Sequence, residues 1–223
     1  MATLYIVATP IGNLSDITLR ALEILKQVDY VLCEDTRNSR KLLEHFQIST
    51  PTVSYHEHSK INKVDQIISW LEDGKDLALV SDAGTPGISD PGNKLIAEIL
   101  ARNSAIDIKC VPGPSALAAA LSLSGINCDH FTFLGFLPHK KGRQTELKEI
   151  AKEKYPIICY ESKYRIVKLL GEINEMMPSK KIILFKELTK IHEKSYRGSA
   201  QEILKELAKD PAATKGEFVI IIY

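Results

Sequence analysis

Short apolar runs that alternate with amphipathic helical stretches constrain this chain more than any other feature. Leu4 to Ala8, Tyr30 to Cys33, Thr52 to Tyr55, Leu77 to Ser81 and Ile106 to Val111 are too short for buried helices and rich in branched residues, so they read as strands. Helical patterns fill the gaps. One follows the turn-rich Thr9-Pro10-Ile11-Gly12-Asn13 and aligns Ile17, Ala21, Leu22 and Leu25 on one face; others fall around residues 39–46, 61–73 and 92–103. Parallel strands need long crossovers, and helices of this length supply them, so the first half reads as a mostly parallel α/β unit.

Pro112-Gly113-Pro114 breaks the pattern, because neither proline can continue a helix or donate to a sheet ladder. This tripeptide is the natural hinge, and it divides the chain into expected domains 1–113 and 114–223. After it, Ser115 is placed to cap an Ala/Leu-rich helix, and strands are expected near Phe131 to Phe136, Ile157 to Tyr160, Ile182 to Lys186 and Phe218 to Ile222. The expected fold class is therefore α/β, in two domains. With 223 residues in all, each half is long enough to bury its own core.

Composition excludes several classes. Hydrophobic residues make up 44% and charged residues 26%, which fits neither a disordered nor a collagenous chain. No apolar stretch approaches the roughly 18 residues that span a bilayer, and the strand at Leu4 leaves no room for a signal peptide, so a cytoplasmic protein with no membrane partner is expected. Cys33, Cys110, Cys128 and Cys159 stand far apart with no CxxC pair, so neither a zinc site nor a disulfide is expected. Charge is uneven: residues 1–113 carry 11 Lys and Arg against 15 Asp and Glu, whereas residues 114–223 carry 18 against 13. A phosphate-bearing partner would dock on the basic half.

Candidate chemistry concentrates in loops, most densely in Val80-Ser81-Asp82-Ala83-Gly84-Thr85-Pro86-Gly87-Ile88-Ser89-Asp90-Pro91-Gly92. This segment follows a strand and precedes a helix, where open parallel sheets bind ligands. Its glycines admit a ligand to the backbone and its prolines stiffen the loop; a tight surface connection with helix-capping Ser and Asp is the plainer reading. Neither GxGxxG nor GxxxxGK[ST] occurs, so the dinucleotide fingerprint and the Walker A loop are both absent.

Six segments then occur in a characteristic order. They are Leu4-Tyr5-Ile6-Val7-Ala8-Thr9-Pro10-Ile11-Gly12-Asn13-Leu14, Cys33-Glu34-Asp35-Thr36-Arg37, the 80–92 loop, Val111-Pro112-Gly113-Pro114-Ser115-Ala116, Phe133-Leu134-Gly135-Phe136-Leu137-Pro138 and Lys186-Glu187-Leu188-Thr189-Lys190. In these the chain strongly resembles the small-subunit ribosomal RNA cytidine 2'-O-methyltransferases of the tetrapyrrole methylase superfamily. The resemblance implies two α/β domains of the tetrapyrrole methylase type with S-adenosylmethionine in the cleft between them, a homodimer, and methylation of a cytidine ribose at the decoding centre of the 30S subunit. It also marks three departures, one being the further small C-terminal extension that many members carry where this chain stops at Tyr223. Where the family reads His-Glu-His-Asn-Glu this chain has His56-Glu57-His58-Ser59-Lys60, and where it reads Glu-Ser-Pro-His-Arg this chain has Glu161-Ser162-Lys163-Tyr164-Arg165.

Carried over residue by residue, the resemblance sets the cofactor against Pro10, Gly84, Thr85, Pro86, Ile88, Ser115, Ala116, Tyr160 and Glu161. A sulfonium cation also gains from oxygen acceptors such as the Asp82 carboxylate. Asp35, His56, Asp82, Glu161 and Glu187 are all candidates for the general base. Glu34-Asp35-Thr36-Arg37 reads either as a helix cap with an internal ion pair or as a wall of the site that grips substrate through Arg37. His56 and His58 have a spacing that suits a metal, but no third ligand is in view and no metal is expected. The cluster His139-Lys140-Lys141-Gly142-Arg143 reads as a basic loop for small-subunit ribosomal RNA, with Lys140, Lys141 and Arg143 on phosphates and Lys186, Lys190, Lys194 and Arg197 extending the same face. Trp70 reads as core. A methyltransferase of this fold acting on a small tetrapyrrole precursor, or a catalytically silent RNA-binding module, are the alternatives.

Overall fold

The structure, a computed structural model, describes residues 2–56, 61–102 and 105–223. It divides into two compact units, Met1–Ser115 and Ala116–Tyr223. The first holds strands β1 (Thr3–Val7), β2 (Tyr30–Cys33), β3 (Thr52–Ser54), β4 (Leu77–Leu79) and β5 (Asp107–Val111), with helices α1 (Leu19–Gln27), α2 (Thr36–His45), α3 (Ile61–Glu72) and α4 (Asn93–Ala101). All five strands are parallel, in the order β3-β2-β4-β1-β5.

Alternation within the strands sorts the core into two layers. Leu4, Ile6, Leu32, Leu77 and Leu79 pack with Val64, Ile67, Ile68 and Leu71 of α3 and Leu95 and Ile99 of α4. On the opposite face Val7, Val31, Cys33, Ala78 and Val80 pack with Ala21 and Leu25 of α1 and Leu43 of α2. A sheet covered on both sides needs apolar residues at both parities, which is why its strands appear in the sequence as unbroken apolar runs. Trp70 joins this core from α3, half-buried and stacked on Tyr30 with 4.6 Å between ring centroids.

The chain leaves β1 through α1 and leaves neighbouring β4 through α4, and these helices cover opposite faces. Such a pair of strands marks a topological switch point, where the outgoing loops part and a crevice opens at the carboxyl edge. Caps set where the helices begin. Thr18 Oγ1 accepts from Ala21 N at 3.1 Å to start α1, and Asp35 accepts from Arg37 N to start α2 at Thr36, three residues before the periodicity alone suggests.

The second unit contains α5 (Ala116–Ser124), β6 (Thr132–Phe136), α6 (Arg143–Lys152), β7 (Ile157–Ser162), α7 (Ile166–Met176), β8 (Ile182–Lys186), β9 (Lys194–Gly198), α8 (Ala200–Leu207) and β10 (Glu217–Ile222). Its sheet is mixed, in the order β6-β7-β10-β8-β9, with β10 antiparallel to both β7 and β8. The edge strand β9 was not expected: Lys194-Ser195-Tyr196-Arg197-Gly198 buries only Tyr196, and one apolar residue in five is too weak a pattern to read.

Two arginines correct the sequence reading. Arg143, expected on a basic surface, is buried, and its guanidinium forks onto Glu172 at 2.6–3.1 Å and donates to Pro138 O at 3.2 Å. An arginine held this way inside the fold is not presented to a phosphate. Beside it the fully buried Glu161 meets Arg165 Nε at 2.7 Å and Arg143 Nη1 at 4.0 Å, while Arg165 Nη1 donates to Leu137 O. Glu161 is thus sealed between guanidiniums, which overturns its reading as a general base or as a side-chain contact to the cofactor. Two cations balance two carboxylates here, and both arginines also pin the loop after β6.

Removing one member of such a network strands a buried charge. Arg143→Ala is expected to cost about 3–5 kcal/mol, read as a lowered urea midpoint, whereas Lys140→Ala on the exposed loop should change stability by less than about 0.5 kcal/mol.

Candidate functional site

At the carboxyl edge of the first sheet, Thr9 and Gly84 exchange two main-chain hydrogen bonds, Thr9 N to Gly84 O at 2.9 Å and Gly84 N to Thr9 O at 3.0 Å. This bridge ties the loop after β1 to the loop after β4 across the switch point. Ser81 and Thr9 reinforce it, the Ser81 hydroxyl lying 3.2 Å and 3.3 Å from the carbonyls of Ala83 and Gly84, and Thr9 Oγ1 3.3 Å from Ser81 O. Gly84 has φ +80°, and a Cβ there would sit 3.3 Å from Ile11 Cγ2. The position therefore needs a glycine for conformation and for close approach.

The loop after β5 joins the same edge, because Thr85 Oγ1 donates to Pro114 O at 3.1 Å. Further along, Gly87 has φ +83° and Asn93 Nδ2 donates to its carbonyl at 3.0 Å, which ties the loop's exit to the first turn of α4. Pro10, Gly84 and Pro86 are buried, whereas Thr85, Ile88 and Ser115 are half-buried. With Asp82, seven of the expected cofactor contacts thus fall on three loops of one sheet edge. Ala116 opens α5 in the second unit, and Tyr160 lies on β7 with its ring edge-on to Phe133 and Phe136.

A cavity of about 140 Å³ opens here, lined by Thr9, Pro10, Leu14, Asn38, Ser39, Lys41, Leu42, Ser81 and Asp82. Asp82 is exposed at its edge and accepts from Asp35 N at 3.2 Å and Asn38 Nδ2 at 3.1 Å, so the start of α2 orients its carboxylate. Asp35 itself points to Arg37, which contacts both of its oxygens at 2.6–3.0 Å and, with the Arg37 N–H, holds the acid down to about 2. Such a carboxylate takes a proton poorly at neutral pH. The ion pair takes Nε and Nη2 of Arg37, the guanidinium assigned to substrate, and leaves that side chain exposed.

Asp90 is the residue that the sequence reading passed over. Burial, with the Glu34 and Asp82 carboxylates nearby, pushes it up to about 6 even though the Ser81 hydroxyl favours the charged form. Its only signal in the sequence is its place in the 80–92 loop, and tertiary proximity to Glu34 is invisible there. Glu187 sits apart, in the second unit, where its Oε1 accepts from Glu217 N at 2.8 Å and Lys190 Nζ at 2.9 Å. Burial opposes its charge, but those donors outweigh it and hold the acid below the usual range. That makes Glu187 a staple between β8 and β10.

Among the extra cations, Lys186 is buried with Nζ on Ala212 O, Lys190 is paired with Glu187 and Glu217, and Arg197 caps α5 through the carbonyls of Leu123 and Ser124. These three serve the fold, whereas Lys140, Lys141 and Lys194 are exposed. His56 is exposed, and His58 lies outside the described residues.

Comparison with known proteins follows the same lines. The model of the Tetrapyrrole (Corrin/Porphyrin) Methylases matches residues 3–204. Proteins named ribosomal RNA small subunit methyltransferase I are similar over the whole chain: 44% identical in Synechocystis sp., across 79% of that protein, and 46% in Mycoplasmopsis pulmonis, across 98%. The relative of that name in Thermotoga maritima is 40% identical across 98% of its length. Among solved structures, a cobalamin biosynthetic enzyme, cobalt precorrin-4 methyltransferase, aligns with a TM-score of 0.70 at 20% identity, covering 98% of this chain and 94% of its own. Uroporphyrin III C-methyl transferase from Thermus thermophilus aligns at 0.66 and 16%, covering 99% and 97%. These structures share the fold.

The Asp90 environment sets a pH dependence. Between the ordinary value near 3.8 and about 6 the folded state holds a proton that the unfolded chain has released, so stability falls as pH rises through that window. Asp90→Asn removes this loss. Thermal denaturation should show the variant's Tm gaining on the parent's from pH 4 to pH 7.5; a difference independent of pH would exclude the effect.

Proposed function

The chain belongs to the tetrapyrrole methylase family, among relatives of the ribosomal RNA small subunit methyltransferase I group, and from that premise we propose that it transfers the methyl group of S-adenosylmethionine to a cytidine ribose 2'-hydroxyl in small-subunit ribosomal RNA. The observation that carries this reading is full-length identity of 40–46% to proteins of that name, together with loops after β1, β4 and β5 that meet at the switch point. The cytoplasmic homodimer implied by the family resemblance belongs to the same proposal.

In the reaction the hydroxyl oxygen attacks the methyl carbon, the carbon–sulfur bond breaks with its electron pair going to sulfur, and the hydroxyl proton leaves to a base. Alignment of the two reactants supplies up to roughly 7–11 kcal/mol, and a base adds about 10²- to 10⁴-fold. The Thr9–Gly84 bridge and the Thr85 tie to Pro114 O serve alignment, because they hold the cofactor-facing loops to one another. Of the four candidate carboxylates, Asp35 is bound to Arg37, Glu161 is sealed and Glu187 is stapled to Lys190. That leaves Asp82, oriented by Asp35 N and Asn38, as the carboxylate we assign to the sulfonium or to the departing proton. Lys140 and Lys141, exposed on the loop after β6, are the phosphate contacts of this reading.

Mass spectrometry of ribosomal RNA nucleosides tests it. Loss of the gene should remove one 2'-O-methylcytidine, or a dimethylated derivative containing it; the parent gene should restore it, and Asp82→Asn should lower kcat by about 10²-fold or more. An unchanged nucleoside profile would refute the assignment.

Calorimetry with S-adenosylmethionine tests the cofactor loop. Gly84→Ala puts a methyl at φ +80° and against Ile11, so the bridge must shift and affinity should fall by about tenfold while the circular dichroism spectrum is retained. Undiminished affinity would place the cofactor away from this loop.

A further inference from the structure

The strand directions of the second sheet gather three loops that the sequence keeps far apart. β6 runs parallel to β7, and β10 lies antiparallel between β7 and β8, so β6, β7 and β8 all end at one edge. Register confirms the alignment, with Phe136 opposite Tyr160, Glu161 opposite Phe218, and Phe218 opposite Lys186. Only β10 separates β7 from β8, so their loops leave the sheet about 10 Å apart.

That edge is both basic and aromatic. β6 ends on exposed Phe136 and the loop after it exposes His139, Lys140 and Lys141; the loop after β7 exposes Lys163 and Tyr164; the loop after β8 exposes Ile191 and leads into exposed Lys194. Tyr164 is 84% exposed, and its main contact is the Lys163 ammonium, 5.0 Å from the ring centroid. Nearby carboxylates offset only part of this charge: Glu187 and Glu217 share Lys190 and leave one negative charge, and Glu193, which accepts from Thr189 N at 2.6 Å, adds a second, against the exposed Lys140, Lys141, Lys163 and Lys194.

The loops are held firmly beneath these exposed groups. Arg143 and Arg165 pin the carbonyls of Pro138 and Leu137, and Arg165 also grips Glu161, next to the start of the Tyr164 loop. In the third loop Glu187 and Thr189 adopt φ +52° and +66°, and buried Leu188 anchors it between them. An aromatic ring held in water beside several lysines wastes apolar surface in a free protein, but it suits a nucleobase stacked on the ring with its phosphates on the cations.

We propose that this edge is a docking face for unpaired RNA, in which Tyr164 stacks on a nucleobase while Lys163, Lys140 and Lys141 hold the neighbouring phosphates. The assignment rests on the RNA reading above and names the residues that would grip the strand. Stacking and charge are separable by salt, because counterion release follows phosphate contacts and not the ring.

Binding of a fluorescein-labelled 20-nucleotide single-stranded RNA, titrated by anisotropy at several salt concentrations, provides the test. Tyr164→Ala should weaken binding about tenfold with the salt slope unchanged, and Tyr164→Phe should restore it. Lys163→Ala should make the slope shallower by about one unit. Full affinity and slope in both alanine variants would overturn the proposal, even where nucleoside analysis upholds methylation. So would light scattering that shows Tyr164→Ala converting a dimer to a monomer with RNA affinity intact, since the face would then belong to a second copy of the chain. Loss of the methylated nucleoside with the gene, alongside unaffected binding in these variants, separates failure of this face from failure of the methyltransferase reading.

Discussion

Burial of a parallel sheet on both faces is the constraint from which the rest of the first unit follows. With α3 and α4 on one side and α1 and α2 on the other, no face of the sheet is left to meet a ligand, so chemistry is confined to the strand ends. Parallel strands deliver all of the outgoing loops to the carboxyl edge, and those after neighbouring β1 and β4 part there to helices on opposite faces. The Thr9–Gly84 bridge then works as a clasp across that divergence. It holds two loops that would otherwise be independent, and the glycine is there because the clasp requires a positive φ.

The second unit solves a different problem. Its mixed sheet lets β10 return between β7 and β8, so three strands of matching direction end together and their loops share one edge. Those loops carry exposed lysines, yet they are fixed from below by buried ions of balanced sign, Arg143 and Arg165 against Glu161 and Glu172. Basic residues thus divide into two populations that composition cannot separate. Arg143, Lys186 and Arg197 give their hydrogen bonds to carbonyls and carboxylates of the fold; Lys140, Lys141 and Lys163 are exposed.

A parallel division runs through the acids. Four carboxylates stood as equal candidates for proton transfer, and what separates them is the company each keeps. A guanidinium beside Asp35 and an ammonium on Glu187 stabilise the charged form, and two guanidiniums around Glu161 tie that carboxylate down. Asp82 accepts from an amide N–H and an asparagine, neutral donors that orient it. Asp90 takes the opposite course, raised by burial among its own kind.

Local pattern by itself determined the two α/β halves, most of the strands and the 80–92 loop, because buried parallel strands and glycine-rich connections both leave signatures within a dozen residues. Proline acts on its immediate neighbours, so Pro112-Gly113-Pro114 reads as a break from local sequence alone; the compact units are Met1–Ser115 and Ala116–Tyr223. Tertiary structure alone decided which charges face water. Glu161 and Arg143, or Asp90 and Glu34, are far apart in the chain, and whether a charge pairs, is buried or stays free depends on partners that only folding brings within a few ångströms. The short edge strand β9 needed the fold as well, since its one buried tyrosine gains meaning only from the β8 ladder beside it.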